Sequence, residues 1–208
     1  MFPLYAIVDA ALALERGHEP VDLARRFFDG GARLVQLRAK DAPAGQLLAW
    51  ADAMCAAAAP YGATVIINDR ADIAIMAGAA GVHVGQDDMP PGAVRRLAAE
   101  PFLIGRSTHT PEQIARAAGE PVDHIAIGPV FGTATKDTGY APVGLDMVAH
   151  AARNASGRPV VGIGGITIDN ARSVIDAGAA SVAVISDLLA GDPGARVRAF
   201  LRALAPGA

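Results

Sequence analysis

Eight short apolar runs, each separated from the next by a stretch with helical spacing, are what this sequence has to accommodate. They span 4–9, 34–40, 64–69, 81–85, 102–108, 124–130, 160–166 and 181–186. Most are continuously apolar and not alternating, the pattern of parallel strands covered on both faces. In the intervening stretches Val21, Ala24 and Phe28 share one helical face, as do Leu47, Trp50 and Met54. Prolines at Pro20, Pro91 and Pro111 mark helix starts, the last preceded by Thr110 as an N-cap. Glycines at Gly30, Gly78, Gly119 and Gly178 are expected to end helices in left-handed caps. Three junctions look alike: Asp29-Gly30-Gly31-Ala32, Met76-Ala77-Gly78-Ala79 and Asp176-Ala177-Gly178-Ala179. A β-α unit recurring eight times closes into a single (β/α)8 TIM barrel of class α/β spanning 1–208, with little room for insertions. An open, doubly wound sheet is the alternative.

At 208 residues the chain suits one sizeable core, and a net charge of −3 gives no basic surface for nucleic acid. Any anion must therefore be held by locally placed cations and amides. No apolar run reaches the roughly 18 residues a membrane span requires, and no basic leader precedes the first apolar run. A single cysteine, Cys55, lies in an apolar helical stretch and reads as core packing, without a disulfide framework. A cytoplasmic protein handling small molecules is expected, with a homo-oligomer left open.

In a barrel, the strand ends and the loops after them form the active face. The second run ends in Gln36-Leu37-Arg38-Ala39-Lys40, where alternation turns Gln36, Arg38 and Lys40 to one side. Cations on a strand that is otherwise buried need an anionic partner. The third ends in Asn68-Asp69-Arg70, and Gln86-Asp87-Asp88 follows the fourth. Carboxylates from two successive strand ends can share a Mg²⁺ ion with substrate phosphate, although Asp69 and Asp88 can equally cap helices. His83, within the fourth run, reads as a hydrogen-bonded core histidine. The fifth brings Ser107 and His109, the sixth opens into Gly132-Thr133-Ala134-Thr135-Lys136, and the seventh ends in Gly162-Ile163-Gly164-Gly165. The eighth ends in Ile185-Ser186, and together the last two offer bare amides for a phosphate.

In order along the chain, QLRAK (36–40), INDRADIA (67–74), GVHVGQDD (81–88), GRSTHT (105–110), GPVFGTATK (128–136), GIGGI (162–166) and AVIS (183–186) resemble the thiamine phosphate synthase family. The resemblance spans nearly the whole chain. It implies condensation of 4-amino-2-methyl-5-hydroxymethylpyrimidine diphosphate with 4-methyl-5-(2-hydroxyethyl)thiazole phosphate, with loss of pyrophosphate. It further implies that Gln36, Leu37, Arg38, Ala39, Lys40, Asn68, Ser107 and Lys136 contact the pyrimidine diphosphate. Of these, Arg38, Lys40, Ser107 and Lys136 would carry the catalysis. Asp69 and Asp88 would hold Mg²⁺, while Thr133, Ala134, Thr135, Gly165, Ile185 and Ser186 would contact the thiazole phosphate. The chain departs from the family at Gly132, where proline is usual, and in the segment DTGYAPVGL (137–145), a lid that here carries Asp137 and Tyr140. The same barrel also serves a thiazole tautomerase, which needs no diphosphate clamp, and would suit a non-catalytic ligand-binding regulator.

Overall fold

Parallel pairing between every neighbouring pair of strands closes the eight apolar runs into a barrel in sequence order, β8 returning to β1. The computed structural model describes residues 1–132 and 139–205. The strands are β1 (Leu4–Asp9), β2 (Leu34–Arg38), β3 (Thr64–Asn68), β4 (Gly81–Val84), β5 (Leu103–Thr108), β6 (His124–Ile127), β7 (Val160–Ile163) and β8 (Ser181–Val184). Around them lie α1 (Ala10–Glu15), α2 (Pro20–Asp29), α3 (Ala44–Ala58), α4 (Ala71–Met76), α5 (Pro91–Leu97), α6 (Pro111–Gly119), α7 (Gly144–Asn154), α8 (Ala171–Asp176) and α9 (Pro193–Ala203). A short 3₁₀ turn, Ser186–Leu189, follows β8. A closed barrel excludes the open doubly wound sheet.

Several strands stop earlier than their apolar runs. Those at 34–40, 64–69, 124–130, 160–166 and 181–186 leave the ladder at Arg38, Asn68, Ile127, Ile163 and Val184. For the third and seventh the cause is visible in the backbone: Asp69 turns to φ 63°, and Gly164 and Gly165 to 97° and 64°, conformations no strand contains. The surplus residues become loops at the carboxyl mouth.

The three similar junctions form one recurring cap. Gly31, Gly78 and Gly178 all take positive φ. The following amides donate back five residues: Ala32 to Phe27, Ala79 to Ala74 and Ala179 to Val174, at 2.9, 2.9 and 3.2 Å. The left-handed residue at the first junction is therefore Gly31 and not Gly30, which stays right-handed. A side chain on Gly30 would collide with Val197 of α9, so close packing demands that glycine. Gly119 ends α6 without positive φ, the chain continuing extended at Glu120. The Thr110 cap forms as expected, its hydroxyl accepting from the Gln113 amide at 3.3 Å.

Two hydrophobic layers result. The larger lies between the outer face of the barrel and the helices and includes Phe27, Phe28, Met54, Ile114 and Phe200. Each such side chain contributes about 1.5–3 kcal/mol on burial. Cys55 packs against this layer half-buried, its thiol pushed up to about 11, chiefly by burial. The smaller layer fills the barrel with Tyr5, Ile7, Leu34, Ile66, Ala126, Val161 and Ala183. Above it the interior turns polar. Gln36 donates to the Tyr5 hydroxyl at 2.8 Å, and the rings of His83 and His124 meet with 3.3 Å between Nδ1 and Nε2. Gly105, on the strand between the two histidines, makes this meeting sterically feasible, since a Cβ there would overlap both rings. Gly105→Ala is accordingly expected to lower the free energy of unfolding by about 1–3 kcal/mol, read as a fall in the urea midpoint.

Candidate active site

Parallel strands deliver all of their last residues to one mouth, so the polar strand ends become neighbours. Arg38, at the end of β2, points into the barrel rim and forms an ion pair with Asp9, the last residue of β1. Both partners are largely buried, with 16% and 7% of their side chains exposed. The second oxygen of Asp9 accepts from Leu12 N at 3.1 Å and caps α1. One carboxylate thus holds a helix start and a site arginine together. Sequence reasoning missed Asp9, although its in-phase position after Tyr5 and Ile7 on a buried strand was a usable signal.

Lys40 lies just beyond β2 with its Nζ 3.5 Å from Asp69 Oδ2. Asp69 and Asp88 come together as the paired-carboxylate reading anticipates. Burial, and then hydrogen bonding to and the charge of Asp88, raise the Asp69 carboxyl above its ordinary range, with Lys40 opposing. Neither acid caps a helix, because α4 and α5 begin without a side-chain cap. Asp88 Oδ2 instead accepts from Gly85 N at 2.7 Å, an approach a larger residue at Gly85 would crowd. The loop carrying Asp88 is pinned to the barrel: Arg106 donates to Gly85 O at 2.5 Å and Gln86 to Ser107 O at 2.6 Å. Asp69 keeps its left-handed backbone while its amide donates to His83 O at 2.8 Å. Backbone strain of that kind needs a surrounding that over-determines it.

Beneath this rim a cavity is lined by Gln36, Arg38, Asn68, His83 and Ser107, with apolar walls from Ile7, Val161, Ala183 and Ile185. His83 is buried and hydrogen-bonded, as expected, yet it also faces this cavity; its Nε2 lies 2.9 Å from Ser107 Oγ. Beside it a cleft is lined by Ser107, His109, Gly164, Gly165, Ile185 and Ser186. The Gly164–Gly165 turn packs so tightly on Pro129 and Phe131 that neither position has room for a side chain. Asn170 holds it by donating to Gly165 O at 3.0 Å. His109 stacks on Tyr140 with ring centres 4.0 Å apart, bringing the segment after β6 against the end of β5.

Not every expected residue presents its side chain to the site. Leu37 points into the layer beneath the helices and Ala39 packs against it, so both offer the mouth their backbone. Thr133, Ala134, Thr135, Lys136 and Asp137 lie outside the described residues.

Paired acids, cations and a glycine-lined cleft at the carboxyl mouth define the class: a (β/α)8-barrel enzyme with its site at the strand ends. A family model described as thiamine monophosphate synthase matches residues 4–188. The thiamine-phosphate synthase of Koribacter versatilis is 46% identical over 206 residues, 97% of this chain and 95% of that protein. That of Thermus thermophilus is 44% identical over 181 residues, 86% of each. The solved thiamine phosphate pyrophosphorylase of Pyrococcus furiosus superposes with a TM-score of 0.88 at 30% identity, covering 98% of this chain and 95% of that one. The chain belongs to the thiamine monophosphate synthase family, a family of transferases.

Proposed function

We propose that this chain joins 4-amino-2-methyl-5-hydroxymethylpyrimidine diphosphate to 4-methyl-5-(2-hydroxyethyl)thiazole phosphate, releasing thiamine phosphate and pyrophosphate. The observation that carries the reading is the stacking of three features at one mouth. Arg38, Lys40 and the Asp69–Asp88 pair stand directly above a small cavity with polar donors and apolar walls, and a glycine-lined cleft opens beside it. In this reading the pyrimidine enters the lower cavity with its diphosphate among Arg38, Lys40 and Lys136. The thiazole phosphate takes the neighbouring cleft, its phosphate on Gly165, Ile185, Ser186 and residues 133–135.

Two half-buried carboxylates in contact repel each other, and a divalent cation between them would relieve that repulsion, so the pair suits Mg²⁺. An ion held by this pair would complete its shell with water and substrate phosphate. When bound, Mg²⁺ would neutralise charge on the leaving diphosphate. In the proposed dissociative step the bond between the methylene carbon and the diphosphate oxygen breaks, its electron pair leaving on oxygen. The thiazole nitrogen then gives its lone pair to the methylene carbon and forms the new C–N bond. Arg38 and Lys40 stabilise the departing negative charge without forming a covalent intermediate. No helix among the described residues is long and apolar enough to cross a membrane, and the small charged substrates suit a cytoplasmic enzyme.

Incubation with both substrates and Mg²⁺ is expected to yield thiamine phosphate, detected by mass, and chelation is expected to abolish it. Product formation unaffected by chelator would remove the metal from the proposal. Isomerisation of a thiazole carboxylate phosphate without condensation would favour the tautomerase, and binding without turnover the regulator.

A further inference from the structure

Three side chains inside the barrel form a hydrogen-bonded line that ends at the lower cavity: His124, His83 and Ser107. His124 Nε2 faces His83 Nδ1 at 3.3 Å, and His83 Nε2 faces Ser107 Oγ at 2.9 Å. The two rings lie 5.4 Å apart, tilted by 34°, and Tyr5 presses edge-on against His124 with centres 5.9 Å apart. Gly105 provides the space in which the rings meet. Burial lowers the pKa of His124 to about 4, so its imidazole is neutral at physiological pH. A neutral imidazole has one N–H and one bare nitrogen, so the line can be polarised in two directions.

In the first direction His124 donates to His83, His83 donates to Ser107, and the serine proton is turned toward the cavity. A hydroxyl proton would then face a methylene carbon that becomes positive, and the interaction would be repulsive. In the second, His83 donates from Nδ1 to His124 and accepts the Ser107 proton at Nε2. The serine oxygen then turns its lone pairs to the cavity, where a fixed dipole of the right sign favours the developing cation. Only the second direction helps the reaction proposed above, on which this inference rests. We infer that His83 is a positioning residue that, held in the Nδ1–H tautomer by His124, directs the lone pairs of Ser107 at the carbon from which diphosphate departs.

Long-range proton–nitrogen spectra of the full chain carrying ¹⁵N-histidine read the tautomers directly. The expected result is His83 protonated at Nδ1 and bare at Nε2. A proton on Nε2, or signals averaged between tautomers, would overturn the inference. Kinetics supply a second readout. His83→Asn is expected to lower kcat about 10-fold, the worth of roughly one hydrogen bond, with the KM for the pyrimidine diphosphate changing less than about twofold. His83→Gln, whose amide reaches nearer to the Nε2 position, is expected to recover most of that loss. In a Ser107→Ala background, His83→Asn should change kcat by less than about twofold, because the group it positions is gone. Equal losses in both backgrounds would assign His83 a structural role and end the proposal. The tautomer measurement does not depend on turnover, so absence of thiamine phosphate from the unaltered protein would count against the proposed function alone.

Discussion

Asp69→Asn is expected to lower kcat by about 10²-fold or more while leaving the metal-free protein at least as heat-stable as before. Asparagine tolerates the left-handed backbone at φ 63° that alanine would strain, so the substitution isolates the charge. Burial, and next Asp88, raise the Asp69 carboxyl above its usual range. A carboxyl whose folded pKa is raised holds its proton more tightly in the folded state. Without metal its ionised form therefore opposes folding, and stability falls as pH rises through that pKa. The amide carries no such penalty. The Tm advantage of the variant, measured in chelator, should accordingly shrink as pH is lowered through the carboxylate range. Mg²⁺ should raise the Tm of the unaltered chain and have little effect on the variant. Near-normal turnover by Asp69→Asn would dismantle the proposed clamp.

Arg38→Met is expected to damage both turnover and stability, and a second substitution separates the two losses. Removing the guanidinium takes one cation from the leaving diphosphate, worth about 10²–10³ in kcat/KM. It also leaves the Asp9 carboxylate buried without its counter-charge, at about 3 kcal/mol. For a chain of this size that is a fall in Tm of roughly 6–12 °C. Adding Asp9→Asn to Arg38→Met should return most of the lost Tm, because the uncompensated charge is gone. It should return none of the turnover. Recovery of both would mean that Arg38 serves the fold alone, and recovery of neither would mean that Asp9 does not depend on it.

Much of the site was legible before any coordinates, because a parallel barrel converts position along the chain into position in space. Residues that end successive apolar runs must arrive at one mouth, which is why Arg38, Lys40, Asp69 and Asp88 could be grouped from their order. The paired acids were ambiguous, since an aspartate after a strand is also a good helix cap. The structure resolves this, with Asp69 and Asp88 in contact and neither on a helix start. Leu37 and Ala39 show the opposite limit. A motif names consecutive residues, whereas a strand sends alternate ones to opposite faces, and these two face the helices.

Local chemistry along the chain was enough to determine the eight β-α units, the proline and threonine helix starts, and the left-handed caps at Gly78 and Gly178, though not those expected at Gly30 and Gly119. Each depends on residues within a few positions of one another, so the information is contiguous. The partnership of Asp9 with Arg38, and the line from His124 through His83 to Ser107, were decided only by closure of the barrel. They join residues from different strands, brought side by side by strand register and, at Gly105, by the absence of a single Cβ. Register across a closed sheet is a cooperative property of all eight strands, and no short stretch of sequence contains it.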